Sequence, residues 1–298
     1  MKMNFKNVTV AGSGVLGYQI AFQTAFHGFK VTVYDINDEV LDKAKAKFLE
    51  LCECYKRDLK ATQEQLDNTF NNLSYQSDLA EAVKDADLLI EAVPEDPAIK
   101  RDFYEKLSQV APEKTVFATN TSTLLPSQFA EVTGRPEKFL ALHFANMIWV
   151  NNMAEIMEHD TTDTQVFADL VQFAKAIGML PLPIYKEQPG HLLNSMLVPF
   201  LISALDLWVN EISDPQTVDK AWMKSFGSPK GPFAILDIIG INTVYNVAKL
   251  HAETNPLMAR LMDRLEEEFI EPGHLGMPTG KGFYSYPNPS YESNSFLQ

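Results

Sequence analysis

Cysteine is nearly absent from this chain of 298 residues, which holds only Cys52 and Cys54. Two apart in a helix-like stretch, their side chains diverge, and a bridge between them would be strained. A disulfide scaffold is therefore excluded, and the pair reads as reduced thiols of a reducing compartment. No apolar run approaches the roughly 20 residues a membrane-spanning helix needs. The first residues, 1–6, lack the apolar stretch and small-residue cleavage pattern of a secretory leader. A cytoplasmic location and no membrane partner are the expectation. Basic residues are scarce beside acidic ones: 25 Lys and Arg face 39 Asp and Glu, for a net charge of −14. Phosphate backbones need a basic face, so nucleic acid is not an expected partner. Any anionic ligand must be held locally, by backbone N–H groups or a few cations. There is no internal repeat. No Cys/His cluster has metal-ligating spacing, so no metal is expected.

What is present is globular: 46% hydrophobic and 21% charged residues, enough for a sizeable core. Short apolar runs alternate with helical patterns through residue 185. Strands are predicted at Val8–Ala11, Lys30–Tyr34, Asp87–Ala92, Thr115–Ala118, Phe139–His143, Ala154–Met157 and Leu182–Tyr185. That alternation reads as a parallel sheet covered by helices. The Lys- and Glu-rich stretch Glu39–Gln65 reads as a solvent-facing helical insertion. After Pro189-Gly190 the pattern turns helical, with helices predicted at His191–Asn210, Pro215–Ser225, Phe233–Glu253 and Pro256–Phe269, then a loop-like end. The expected architecture is α/β: a doubly wound sheet over 1–185, followed by an all-helical domain over 186–298.

The first strand runs straight into Gly12-Ser13-Gly14-Val15-Leu16-Gly17, and an apolar-periodic helix follows. Each glycine has a mechanical task. Gly12 allows the tight turn, Gly14 lets the backbone approach a pyrophosphate, and Gly17 lets helix and strand pack closely. The pyrophosphate would sit on the helix N-terminus, where free N–H groups and the dipole favour negative charge. The second strand ends in Tyr34-Asp35, where a carboxylate would accept bonds from the ribose hydroxyls and repel a 2′-phosphate. A Rossmann-type NAD site is therefore predicted, with NAD preferred to NADP.

A carbonyl/alcohol couple also needs a group to move the hydroxyl proton. Of six histidines only His143 ends an apolar strand, at the strand end where open α/β sheets bind ligands. Glu155 follows in a second strand-like run. It could orient the imidazole or could equally be a solvated strand-edge charge.

These residues resemble the L-3-hydroxyacyl-CoA dehydrogenase family, in particular its short 3-hydroxybutyryl-CoA members. The likeness covers nearly the whole chain. It includes Gly12–Gly17, Asp35, Glu91-Ala92-Val93-Pro94-Glu95, Lys100, Asn120-Thr121-Ser122, His143-Phe144-Ala145-Asn146 and Glu155. It continues with Pro189-Gly190 through Asn194, with Gly231-Pro232-Phe233 and Asp237–Gly240, and with Thr279–Tyr284. The resemblance implies a 3-hydroxyacyl/3-ketoacyl interconversion in which His143 is the general base or acid and Glu155 its partner. Ser122 and Asn194 would bond the substrate. Glu95, Lys100, Asn120, Ser122 and Asn146 would join Gly12, Ser13, Gly14, Val15, Leu16, Gly17 and Asp35 around the cofactor. The helical domain would form most of a homodimer interface.

The sequence also departs from the family. Met147 stands where Pro is usual, His191 where Phe is, Ser195 where Arg is, and Pro278 where a basic residue is common. Trp149 is either a wall of the pocket or core. The insertion's usual CoA contacts, a Ser and a Lys, fall on Leu51 and Asp58, with Lys56, Arg57 and Lys60 nearby. A dehydrogenase of a free 3-hydroxy acid, without CoA, is thus the alternative. A Ser122–His143–Glu155 hydrolase lacks the Gly-x-Ser-x-Gly elbow and leaves the glycine turn without purpose. The intact His143–Glu155 pair speaks against a non-catalytic NAD-binding protein.

Overall fold

The computed structural model describes residues 5–298. The chain divides into two compact units, Met1–Leu193 and Asn194–Gln298. The turn after Pro189-Gly190 stays with the first unit because the amides of Leu192 and Leu193 donate to Glu155 within it.

The first unit is built on eight strands: β1 (Asn7–Ala11), β2 (Lys30–Tyr34), β3 (Leu73–Gln76), β4 (Leu88–Glu91), β5 (Val116–Thr119), β6 (Phe139–Phe144), β7 (Met153–Met157) and β8 (Leu180–Ile184). Their order in the sheet is β3-β2-β1-β4-β5-β6-β7-β8. The order reverses beside β1, which makes the crevice beyond the carboxyl ends of β1 and β4 the natural ligand position. The central strands β4, β5 and β6 are buried along their whole length, and only Glu91, Thr119 and His143, near their carboxyl ends, interrupt the apolar runs. Seven strands were predicted. The eighth, β3, is a polar edge strand, Leu-Ser-Tyr-Gln, without alternation to betray it. The expectation of a parallel sheet needs one correction: β6 and β7 pair antiparallel, with His143 opposite Glu155.

Helix α1 (Gly17–Phe26) packs under β1 with eight of its ten residues buried. The predicted insertion is two helices, α2 (Asp38–Leu59) and α3 (Gln63–Asn71), broken by Lys60 in the left-handed region. α2 is capped by Asn37 and carries Asp38 and Glu39 in its first turn, where the helix dipole favours them. Phe48, Leu51 and Tyr55 bury its inner face, so the insertion belongs to the main core and is not a solvent-facing arm. Between the next strands lie α4 (Leu79–Val83), α5 (Pro97–Val110) and α6 (Thr164–Ala176).

The second unit contains α7 (Leu193–Val209, with Pro199 inside it), α8 (Pro215–Phe226), α9 (Pro232–Ile239), α10 (Ile241–His251) and α11 (Pro256–Leu265), the last continued by a π-helical turn, Glu266–Ile270. The single helix predicted over Phe233–Glu253 is in fact two, because Gly240 takes φ +95° and ends α9. Its core is Leu205, Trp208, Phe233, Leu261 and their neighbours. The loop-like C-terminal segment closes that core, burying Tyr284, Tyr291 and Phe296. Among the described residues no single helix is long and apolar enough to cross a membrane.

Candidate active site

The glycine turn leaves β1 with Gly12 at φ +94°, and a Cβ there would meet the Ala92 carbonyl oxygen at 2.5 Å. Gly17 lies so close to Gly12 that a Cβ would fall 1.8 Å from the Gly12 carbonyl oxygen. No side chain caps α1, although the Tyr18 amide donates to the Gly14 carbonyl, so the other amides of its first turn remain available to an anion. A cleft of about 640 Å³ opens there, lined among others by Gly12, Gly14, Val15, Asp35, Ile36 and Val93. Val15 and Ile36 expose 66% and 75% of their surface, an apolar rim suited to a flat base. Asp35 closes the far side. One carboxylate oxygen accepts from the Ser13 amide at 2.7 Å and from the Ser13 hydroxyl at 2.6 Å, and the other accepts from the Ile36 amide. The acid therefore braces the turn as well as facing the cleft.

Antiparallel register builds the second part of the site. His143 on β6 and Glu155 on β7 are cross-strand partners, and His143 Nδ1 lies 2.8 Å from Glu155 Oε2. Glu155 is fully buried, and its Oε1 accepts from the Leu192 and Leu193 amides at 2.9 and 2.8 Å. Burial pushes this carboxyl up. The bond to His143, the Leu193 amide and the nearby imidazoles outweigh that, and the net shift is downward. A carboxylate held in its ionised form accepts from Nδ1, which in the neutral ring leaves Nε2 as the acceptor. Nε2 lies 3.2 Å from Ser122 Oγ.

Ser122 is set by Glu95, whose Oε1 accepts from the Ser122 amide at 3.1 Å, from the Thr123 amide and hydroxyl, and from the Thr121 hydroxyl. Burial raises the Glu95 carboxyl, but these hydroxyls and Lys100 bring it below its usual value. Lys100 is 1% exposed and ties Glu95 Oε2 (3.2 Å) to the buried Glu91 (2.7 Å). Its ammonium is thus enclosed between the two carboxylates. Asn120 spends its Oδ1 on the Phe144 amide. Asn146, just past β6, accepts from Gln19 of α1, which links the cofactor helix to the His143 strand. Asn194 is the first residue of the second unit and lies at the start of α7.

Three residues have a place in the site that the sequence did not assign them. Glu91 accepts from Lys100, Val93, Tyr104 and Thr119, and in the sequence it stands in the Glu91–Glu95 motif without a role of its own. Gln19 looked like one more polar residue of an amphipathic helix. His191 stacks on His143, its ring centroid 4.7 Å away. Two imidazoles and a carboxylate, those of His143, His191 and Glu155, thus bring donor atoms within 4.8 Å of one another. The absence of metal-like spacing along the chain had concealed that cluster. Trp149 is 8% exposed, packs on Tyr55 and donates from Nε1 to Asp58 at 2.8 Å, so it is core that also pins the end of α2.

A dinucleotide crevice at the sheet's reversal, with an oriented imidazole at the end of a neighbouring strand, belongs to dehydrogenases that pass a hydride to a nicotinamide while a side chain moves a proton. Comparison with known proteins narrows the class. Residues 7–188 match the NAD-binding domain of 3-hydroxyacyl-CoA dehydrogenases and residues 190–286 match their C-terminal domain. The human mitochondrial hydroxyacyl-coenzyme A dehydrogenase is 32% identical over 296 residues, 96% of this chain and 92% of that protein. A probable 3-hydroxybutyryl-CoA dehydrogenase of Bacillus subtilis is 30% identical over 95% of this chain and 98% of its own length. A solved diketoreductase superposes with a TM-score of 0.92 at 51% identity, covering 96% of this chain and all of that one. The chain belongs to the 3-hydroxyacyl-CoA dehydrogenase family. It is an NAD-dependent oxidoreductase.

Proposed function

We propose that the enzyme interconverts a short 3-hydroxyacyl-CoA and its 3-ketoacyl-CoA, with His143 as the acid–base group. The observation that carries this is the Ser122–His143–Glu155 line of hydrogen bonds. Nε2 of His143 faces a hydroxyl, with its other nitrogen tied to a buried carboxylate. In oxidation the C3 hydride goes to NAD while Nε2 takes the alcohol proton, and Glu155 stabilises the imidazolium so formed. In reduction the same imidazolium returns the proton. Ser122 Oγ stands where it can hold the substrate oxygen. Asp35, at the end of the cleft, would bond the adenine ribose and disfavour a 2′-phosphate.

A second reading, a ketone substrate without CoA, is favoured by two observations. The relative sharing 51% identity is described as acting on dicarbonyl compounds. The cations at the end of α2 are also engaged: Lys56 with Glu53, and Arg57 with Asp58, which holds Trp149 in turn. An NADH-absorbance screen of acetoacetyl-CoA against free and esterified 3-oxo acids decides between them. Turnover of the thioester supports the first reading, and turnover of the esters alone supports the second. Under either, His143→Gln lowers kcat by about 10²–10⁴-fold while NAD affinity stays near normal. Full activity of His143→Gln would rule out both.

The proposal includes a homodimer formed through the second unit, where Met196, Ile212, Phe226 and Leu250 expose 67%, 69%, 71% and 78% of their surface. It also includes a cytoplasmic setting, in which Cys52 and Cys54 remain thiols.

A further inference from the structure

We propose that His191 is a positioning residue of this site, its ring forming the wall that fixes the orientation of His143 and so keeps the Nδ1 bond to Glu155 that sets its tautomer. The inference rests on the acid–base role proposed for His143. The two rings stack at 4.7 Å and 28°, and His191 is 1% exposed. The bonds from Nδ1 to Glu155 and from Nε2 to Ser122 hold the two ends of the His143 ring, and a ring lying on its face opposes tilt about the line between them. The backbone explains why the wall lies there. Gly190 and His191 both take left-handed conformations, φ +79° and +56°. That double bend aims the next two amides, of Leu192 and Leu193, at Glu155 Oε1. One turn therefore supplies both the wall behind the imidazole and the grip on the carboxylate that orients it.

A wall made of a second imidazole serves only while it stays uncharged, since two stacked cations would repel. His143, Glu155 and Glu95 are the titratable groups that face His191, with the Ser122 backbone beside it. Burial and the charge of His143 lower its pKa to about 4, against the upward pull of Glu155, the Ser122 backbone and Glu95. In the working range the pair then carries at most one positive charge, on His143, held against a neutral aromatic face.

Two variants test the wall. His191→Asn keeps a residue that tolerates the left-handed backbone but removes the ring. His191→Phe keeps a ring. Thermal melts confirm that each is folded. In the Asn variant kcat is expected to fall about 10- to 100-fold with an unchanged KM for NAD. The ¹⁵N signals of the His143 ring should move from the Nδ1–H form toward a mixture. The Phe variant is expected to stay within about threefold of wild type and to retain the Nδ1–H signature. Wild-type kcat and tautomer in the Asn variant would overturn the proposal. So would equal losses in both variants without any change in the His143 signals. If the wild-type enzyme turns over no 3-oxo substrate, the functional reading fails, and the ¹⁵N spectra of the three proteins still decide this one.

Discussion

A single methyl group at Gly17 would reach the Gly12 carbonyl oxygen at 1.8 Å, and neither backbone can yield without opening the turn. Gly17→Ala is therefore expected to cost about 1–3 kcal/mol of stability and to weaken NAD binding at least tenfold. Gly14 is the control. A Cβ there meets nothing within 4 Å, so Gly14→Ala should melt like wild type and lose affinity only because the added atom occupies the ligand's space. Urea melts and calorimetric NAD titration separate the two, and a wild-type melt for Gly17→Ala would contradict the packing argument. At this scale the sequence was informative wherever a residue's role is local. The glycines, Asp35 and the strand-ending His143 could each be read from their neighbours. Glu155 could be read only as one of two possibilities, because its pairing with His143 depends on strand register. His191 could not be read at all, since nothing along the chain says that its ring returns to lie on β6.

Among elements, the second unit depends on two buried carboxylates. Asp219 of α8 accepts from the Phe233 and Ala234 amides at the start of α9 and from the Tyr284 hydroxyl. Asp237 of α9 accepts from the Phe283 and Tyr284 amides and from the Tyr286 hydroxyl. Burial raises both carboxyls above the usual range, and the donors only partly offset it. Both oxygens of Asp237 face donors, so Asp237→Asn turns one acceptor into a donor aimed at another donor. A loss of about 1–3 kcal/mol is expected, measured by urea melts, with the C-terminal segment the first to gain hydrogen-exchange lability. A melt unchanged from wild type would mean that this segment is held by its aromatic contacts alone. Periodicity located α7, α8 and α11 of the second unit to within a few residues. It joined α9 to α10 because only the backbone angle of Gly240 separates them. It also read the tail as loop, which is correct for its backbone but silent about Tyr284, Tyr291 and Phe296, whose burial no period announces.

For the molecule as a whole, the change of texture near residue 186 marked the passage to helices, while the compact first unit runs on to Leu193. The proposed dimer has a direct test at this scale. Phe226→Glu places a charge on an exposed apolar face of the second unit, and sedimentation should then report a monomer where the wild type is a dimer. A wild type that sediments as a monomer would remove that part of the proposal. The antiparallel pairing of β6 with β7 reaches beyond the chemistry it supports. Because strand register sets imidazole opposite carboxylate, that pairing does not depend on the length of the connection from Ala145 to Asn152, whose own Asn146 and Trp149 are tied instead to α1 and α2. A slip of one residue in the ladder, by contrast, would turn one of the two side chains to the opposite face of the sheet and leave the other without its partner.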